Sequence, residues 1–167
     1  MPRSVSRLLL LVLVIAGAAC GWHLRGAVEL APQLKQLRLQ SAPPDPEFDA
    51  RLQSALKFAG IDVADRTGIF TLTTTLQRPA PRNVALDSSA RSAEQEHRLV
   101  LDFALRNPSG GVVVGPRTIN ASRVYAYDPN AVIAKLDEAA LIDRELQDIL
   151  VAQLMRQLSH IEPSALE

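Results

Sequence analysis

The sequence predicts an α+β domain, in which a small mixed/antiparallel sheet of about four strands carries two helices packed on one face. Three observations point to it. Two runs with apolar residues at helical spacing each follow an Asp-Pro pair, Asp45-Pro46 and Asp128-Pro129. Between them lie stretches in which apolar and polar residues alternate one by one, the period of a half-buried strand. The order strand, helix, strands, helix then places both helices over the single apolar face of one sheet.

The chain has 167 residues, of which 47% are hydrophobic and only 4% aromatic, so a core must be built from Leu, Val, Ile and Ala. Basic and acidic residues balance at 18 each. That balance argues against nucleic acid as a partner, which would demand a basic excess. An anionic ligand would have to be met by a local cluster of cations. The single cysteine excludes an internal disulfide. His23, His97 and His160 share no metal-ligand spacing, and no repeat of fixed period is present.

The first nineteen residues read as a leader. Arg3 and Arg7 form a positive start, and the uncharged run Leu8 to Ala19 is too short to span a bilayer and ends in small residues. Cys20 follows directly. Small residues before a lone Cys fit cleavage by lipoprotein signal peptidase, with an S-diacylglycerol and an N-acyl lipid on Cys20 and no other cofactor. Gly17 stands where an aliphatic residue is usual in such sites. Cleavage would leave a mature chain 20–167, a tether over 20–32 and a globular part over 33–160. Loss of Arg3 and Arg7 would leave 16 basic against 18 acidic residues. Acyl chains add roughly 0.8 kcal/mol per buried CH₂, so two or more anchor a protein stably.

Leu37 and Leu39 alternate with polar residues as a first strand, which Pro43-Pro44 ends. Asp45 caps a first helix with Pro46 at its first position. Phe48, Leu52, Ala55, Leu56 and Ala59 share one face of it, and Gly60 stops it. Ile61–Val63 reads as a linker. In Ile69–Leu76, residues Phe70, Leu72, Thr74 and Leu76 share one face and threonines dominate the other. Arg78–Ser92 reads as a loop or a frayed strand end. Leu99, Leu101, Phe103 and Leu105 make the clearest half-buried strand, and Asn107–Gly111 turns the chain. The return strand is interrupted at Gly115-Pro116, implying a bulge or a sheet edge, and resumes from Ile119 to Tyr127. The second helix runs from Asp128-Pro129 to about Leu158, with Leu136, Ala140, Ile142, Leu146, Ile149, Leu150 and Leu154 as its apolar stripe.

Ser54-Ala55-Leu56-Lys57 matches the S-x-x-K pattern of serine hydrolases, but neither Ser-Asp-Asn nor Lys-Thr-Gly accompanies it. With no convergent nucleophile, base and oxyanion pattern, and no metal-ligand cluster, the sequence argues against a periplasmic hydrolase.

Cys20-Gly21-Trp22-His23-Leu24-Arg25-Gly26 resembles the mature start of the lipopolysaccharide-assembly lipoprotein family LptE. A second resemblance lies a domain away: Ser122-Arg123-Val124-Tyr125, then Asp128-Pro129, Ala134-Lys135 and Glu138, are similar to that family's strand-to-helix junction. Gln153-Leu154-Met155-Arg156-Gln157-Leu158 resembles its C-terminal helix. The resemblance implies a non-enzymatic lipoprotein anchored in the cell outer membrane on its periplasmic side. Its domain would sit inside the lumen of an LptD-type β-barrel, assemble lipopolysaccharide at the cell surface with that barrel, and aid the barrel's assembly. Gly21, in place of an Asp retention signal, agrees with transport to the outer membrane. Lipid A phosphates call for Lys or Arg donors. Lys135 matches the junction motif and Arg91 lies in the loop before the clearest strand; Arg78, Arg82 and Arg123 are further candidates. A rival reading is an auxiliary lipoprotein of another envelope lipid transporter, which would share the anchor but not the Cys-Gly-Trp-His-Leu-Arg start.

Overall fold

The computed structural model describes residues 30–86, 92–127 and 132–166, without the side chains of 86, 92 and 132–135. The leader, Cys20, Arg91 and the Asp128-Pro129 pair lie outside the described residues. After a 3₁₀ turn at Pro32–Leu34 come β1 (Gln36–Ser41), α1 (Pro46–Phe58), β2 (Asp62–Val63), β3 (Phe70–Gln77), β4 (Arg82–Leu86), β5 (Ser92–Arg106), β6 (Val112–Ala126) and α2 (Val132–Ser159). A second 3₁₀ turn, Pro163–Leu166, closes the described chain.

Helix α1 forms as its sequence dictates. Asp45 accepts a hydrogen bond from the Phe48 amide at 3.1 Å, and Pro46 occupies the first turn, where no amide is needed. At the other end Gly60 takes φ +81°. The Gly60 amide donates to the Lys57 carbonyl and the Ile61 amide to the Leu56 carbonyl, both at 3.0 Å, a Schellman closure.

The sheet has six strands rather than about four. β1 pairs parallel with β2 and β3, and every other pairing is antiparallel. β3 and β4 share one edge of β5, and β6 takes the other. Both additional strands come from segments whose composition gives no alternation. Within the expected linker Ile61–Val63, the Asp62 amide donates to the Lys35 carbonyl at 2.8 Å and the Ala64 amide to the Leu37 carbonyl at 3.1 Å, which makes β2. Within Arg78–Ser92, expected as a loop or a frayed strand end, residues 82–86 pair with β5 across a bulged register. Pro79 and Pro81 precede β4, where they remove no ladder bond from it. Strand β6 runs through Gly115-Pro116 instead of breaking there. Phe103 faces Arg117 and Leu105 faces Val114, so β6 absorbs one extra residue as a bulge on an edge strand.

The core lies between one sheet face and both helices. Leu72 and Leu99, Leu101 and Leu105 are fully buried, as are Leu52 and Leu56 of α1 and Leu150, Leu154 and Leu158 of α2. Leu30 and Ala31, in the expected tether, pack against the same cluster. Thr74 is buried on this face and is satisfied by Ser41 at 2.9 Å, whose hydroxyl also meets Asp49 at 2.5 Å. The stripe of α2 is narrower than expected: Leu136 is 65% and Ile149 46% exposed. Ile142, Leu146, Leu150, Leu154 and Leu158 follow an i, i+4 row. Such a row drifts about 40° around a helix per step, so Leu136, well N-terminal to it, falls on the far side.

Truncating Leu150 to Ala should cost about 3 kcal/mol in urea unfolding. Phe58→Ala, at a side chain 80% exposed, should stay within about 0.5 kcal/mol.

Candidate functional site

Of the candidate cations, Arg78, Arg82 and Arg123 lie toward one pole of the sheet, where β3 ends, β4 begins and α2 starts. Arg78 follows the last residue of β3. Its guanidinium forms an ion pair with Asp45, the cap of α1, and reaches Asp143 of α2 through Nε at 3.2 Å and Nη2 at 3.4 Å. Asp143 also contacts His97 Nε2 of β5 at 3.2 Å and accepts from Gln147 Nε2 at 2.6 Å. One carboxylate therefore ties α2 to β5 and to the end of β3, while the same arginine reaches the start of α1.

Burial pushes the Asp143 carboxyl up, but hydrogen bonds from Gln147, His97 and Arg78 outweigh it and hold the group below the ordinary carboxylate range. Asp45 behaves alike: burial raises it, while Arg78 and the Phe48 amide pull it lower. Desolvation works against the Arg78 charge, yet its two carboxylates raise its pKa overall. Gln147 is fully buried, and its Oε1, like His97 Nδ1, has no hydrogen-bond partner among the described residues.

Arg82 of β4 pairs with Glu96 at 2.5 Å, and Arg98 approaches the same carboxylate at 3.4 Å. Glu96 is held below its ordinary pKa by the Ser122 hydroxyl and then by Arg82. Arg123 of β6 forms an ion pair with Glu145 of α2 in which both side chains are about half exposed. Lys135 falls within the first turns of α2. β5 begins at Ser92, the residue after Arg91. The Tyr127 amide donates to the Ala93 carbonyl at 2.9 Å, so the chain leading toward α2 runs beside the start of β5.

Sequence reasoning missed the partners of these arginines. His97 continues the inward alternation of Leu99 to Leu105, and Asp143 and Gln147 flank the inward Ile142 and Leu146; polar residues at core-facing positions signal a network. Ser54, in the discounted S-x-x-K pattern, donates back to the Ala50 carbonyl at 2.7 Å. Among the described residues no group of three or more His, Cys, Asp or Glu could hold a metal ion. Among them, too, no helix is long and apolar enough to cross a membrane.

The lowered Asp45 and Asp143 groups make stability acid-sensitive. Their folded pKa values lie below the unfolded ones, so the stabilisation is complete above about pH 4–5 and is lost as pH falls through the folded values. The urea midpoint should be flat from neutrality to about pH 5 and fall below about pH 4. Asp143→Asn should lower stability by about 2 kcal/mol at pH 7 and flatten the acid limb.

A family model described as LptE, lipopolysaccharide-assembly, matches residues 34–158. The chain is 27% identical over 161 residues to the LPS-assembly lipoproteins LptE of Yersinia pestis and Yersinia pseudotuberculosis, covering 95% of this chain and 77% of each relative. A minor lipoprotein from Acinetobacter baumannii superimposes with a TM-score of 0.62 and 25% identity, over 75% of this chain and 91% of that one. Rare lipoprotein B from Shewanella oneidensis does so with a TM-score of 0.63 and 22% identity, over 74% and 93%. Lipoprotein B from Nitrosomonas europaea reaches 0.68 at 17% identity, over 83% and 90%, and shares the fold. The family match runs from the end of the first 3₁₀ turn to the last turn of α2, through every strand of the sheet, and the chain belongs to the LptE lipopolysaccharide-assembly family.

Proposed function

We propose that the mature chain is a non-enzymatic outer-membrane lipoprotein, anchored by lipid on Cys20, that fills the lumen of an LptD-type β-barrel. With that barrel it delivers lipopolysaccharide to the cell surface, and it supports the barrel's assembly. The observation that carries this reading is the family match over 34–158, which includes both helices and the whole sheet. It favours lipopolysaccharide assembly over an auxiliary role in another lipid transporter.

The sheet supports the reading physically. Its face away from the helices is polar along β3, where Thr71, Thr73 and Thr75 alternate with the core residues. Such a face suits a water-filled lumen better than a bilayer. Lys135, in the first turns of α2, and Arg91, the residue before β5 in the sequence, are the leading lipopolysaccharide-binding residues. Arg123 and Arg82 add to them: the Arg123–Glu145 pair is about half exposed and weak enough to exchange a carboxylate for a phosphate, whereas Arg82 is itself exposed but holds the buried Glu96. Arg78 lies among the same cations but is held between Asp45 and Asp143. Its contribution is to fix the elements that carry the others.

Replacing Lys135 and Arg91 together by Glu should weaken lipopolysaccharide binding by the mature chain about tenfold or more, since each reversal removes a charge-assisted contact. Unchanged binding by a folded double variant would refute this assignment.

A further inference from the structure

At the opposite pole, on the face turned away from the helices, the register sets Arg38 of β1 beside Thr71 of β3, and Thr71 beside Arg106 of β5. Three side chains thus stand in one row on neighbouring strands. Strands lie about 4.8 Å apart, so the two arginine Cα atoms are about 10 Å apart with the threonine midway. Both guanidiniums are long enough to meet above the hydroxyl. The loop at Thr67 and Gly68 and the turn at Asn107–Gly110 rise beside the row and enclose, with it, a hollow of about 290 Å³. Gly68 and Gly110 take φ +77° and +88°, and open space surrounds the position of any Cβ there.

These donors are held less firmly than Arg78 and Arg82, whose partners Asp45, Asp143 and Glu96 have side chains at most 19% exposed. Arg78, Arg82 and Arg123 each hold a carboxylate at their resting positions. Arg106 has only the Gly110 carbonyl, at 3.1 Å, and no carboxylate among the described residues. Arg38 pairs with Asp65 at 2.9 Å, but Asp65 is 88% exposed, and a pair so open to water exchanges readily. The Thr71 hydroxyl has no partner among the described residues. Past Gly68 and Pro108 a second hollow carries Lys35, which also lacks a carboxylate, together with Asp62.

We propose that the Arg38–Thr71–Arg106 row is a subsite for a phosphate group. Two guanidinium forks grip its oxygens from opposite sides and the Thr71 hydroxyl donates to a third. The group belongs to a phosphorylated lipid headgroup or is free phosphate. The subsite itself rests on the register and on donors held only by an open carboxylate and a backbone carbonyl, not on the anchor or on the family reading.

The test uses the mature full-length chain carrying Cys20→Ser, so that acyl insertion cannot supply the binding. It is titrated with inorganic phosphate and, separately, with phosphatidylcholine vesicles with or without phosphatidylglycerol. Arg38→Gln with Arg106→Gln should weaken anion binding about fivefold for each arginine, and Thr71→Val should weaken it severalfold without moving the thermal midpoint. Arg117→Gln with Arg144→Gln removes the same charge elsewhere and should stay within about twofold of the parent. Lysine at both row positions should restore only part of the affinity, because the fork is lost. Dependence on the row confined to phosphatidylglycerol vesicles assigns a lipid headgroup; the same dependence for inorganic phosphate, with vesicle composition irrelevant, assigns free phosphate. If the row variants match the charge control in both titrations, the subsite does not exist.

Discussion

Strand β5 bears the sheet: β3 and β4 hydrogen-bond to one of its edges and β6 to the other. Leu99, Leu101, Phe103 and Leu105 all point to one face and are at most 3% exposed. That alternation fixes the register of the three neighbouring strands, because a slip of one residue would turn a whole apolar row into water. Helix α2 can lie across β5 and β6 only because the row is continuous, and α1 then closes against α2 and the β1–β2 end. The free edge of β6 is partly covered as well: Gln153 of α2 reaches the Asn120 carbonyl at 3.4 Å and Arg117 reaches Gln157 at 3.0 Å. Such cover blunts a strand edge that would otherwise invite pairing.

The charges organise the two ends differently. At the α2-start pole, acidic groups from α1 and α2 meet arginines from the strands, and Asp143 joins three elements through one carboxylate. Its low pKa follows from the donors around it, since burial alone would raise it. At the other pole the helix C-termini lie near basic residues, Lys57 and Arg156 in their last turns, which suit the negative end of each helix. Arg106 has no such explanation and no carboxylate partner among the described residues. The proposed phosphate subsite accounts for it, together with Arg38, without involving the pole where Arg123 stands.

Much of this fold is legible in the sequence, and where it is not the reason is physical. Strands β3 and β5 show a period of two because one face is buried and the other is not. Helix α1 carries its own start and stop in Asp45 and Gly60. β2 and β4 leave no such trace: two and five residues long, they are held by backbone ladders to β1 and β5 rather than by an apolar face. The outward placement of Leu136 and Ile149 was hidden for a related reason, since the stripe of a long helix rotates relative to a flat partner. In the candidate site, the arginine types and positions could be named from sequence, but their occupancy could not. That Arg78 is held by Asp45 and Asp143, residues 33 and 65 positions away along the chain, is settled only by the topology.

The barrel-partner account makes one demand above the rest, namely that the protein be found with a large outer-membrane β-barrel. The direct measurement is isolation of the mature lipoprotein from detergent-solubilised outer membranes, with photo-crosslinkers at Thr73 and Ser122 on the helix-free sheet face. The account predicts that one barrel protein co-purifies and is captured from both positions. A lipoprotein recovered without a barrel, or captured instead with components of a phospholipid transporter, would contradict it.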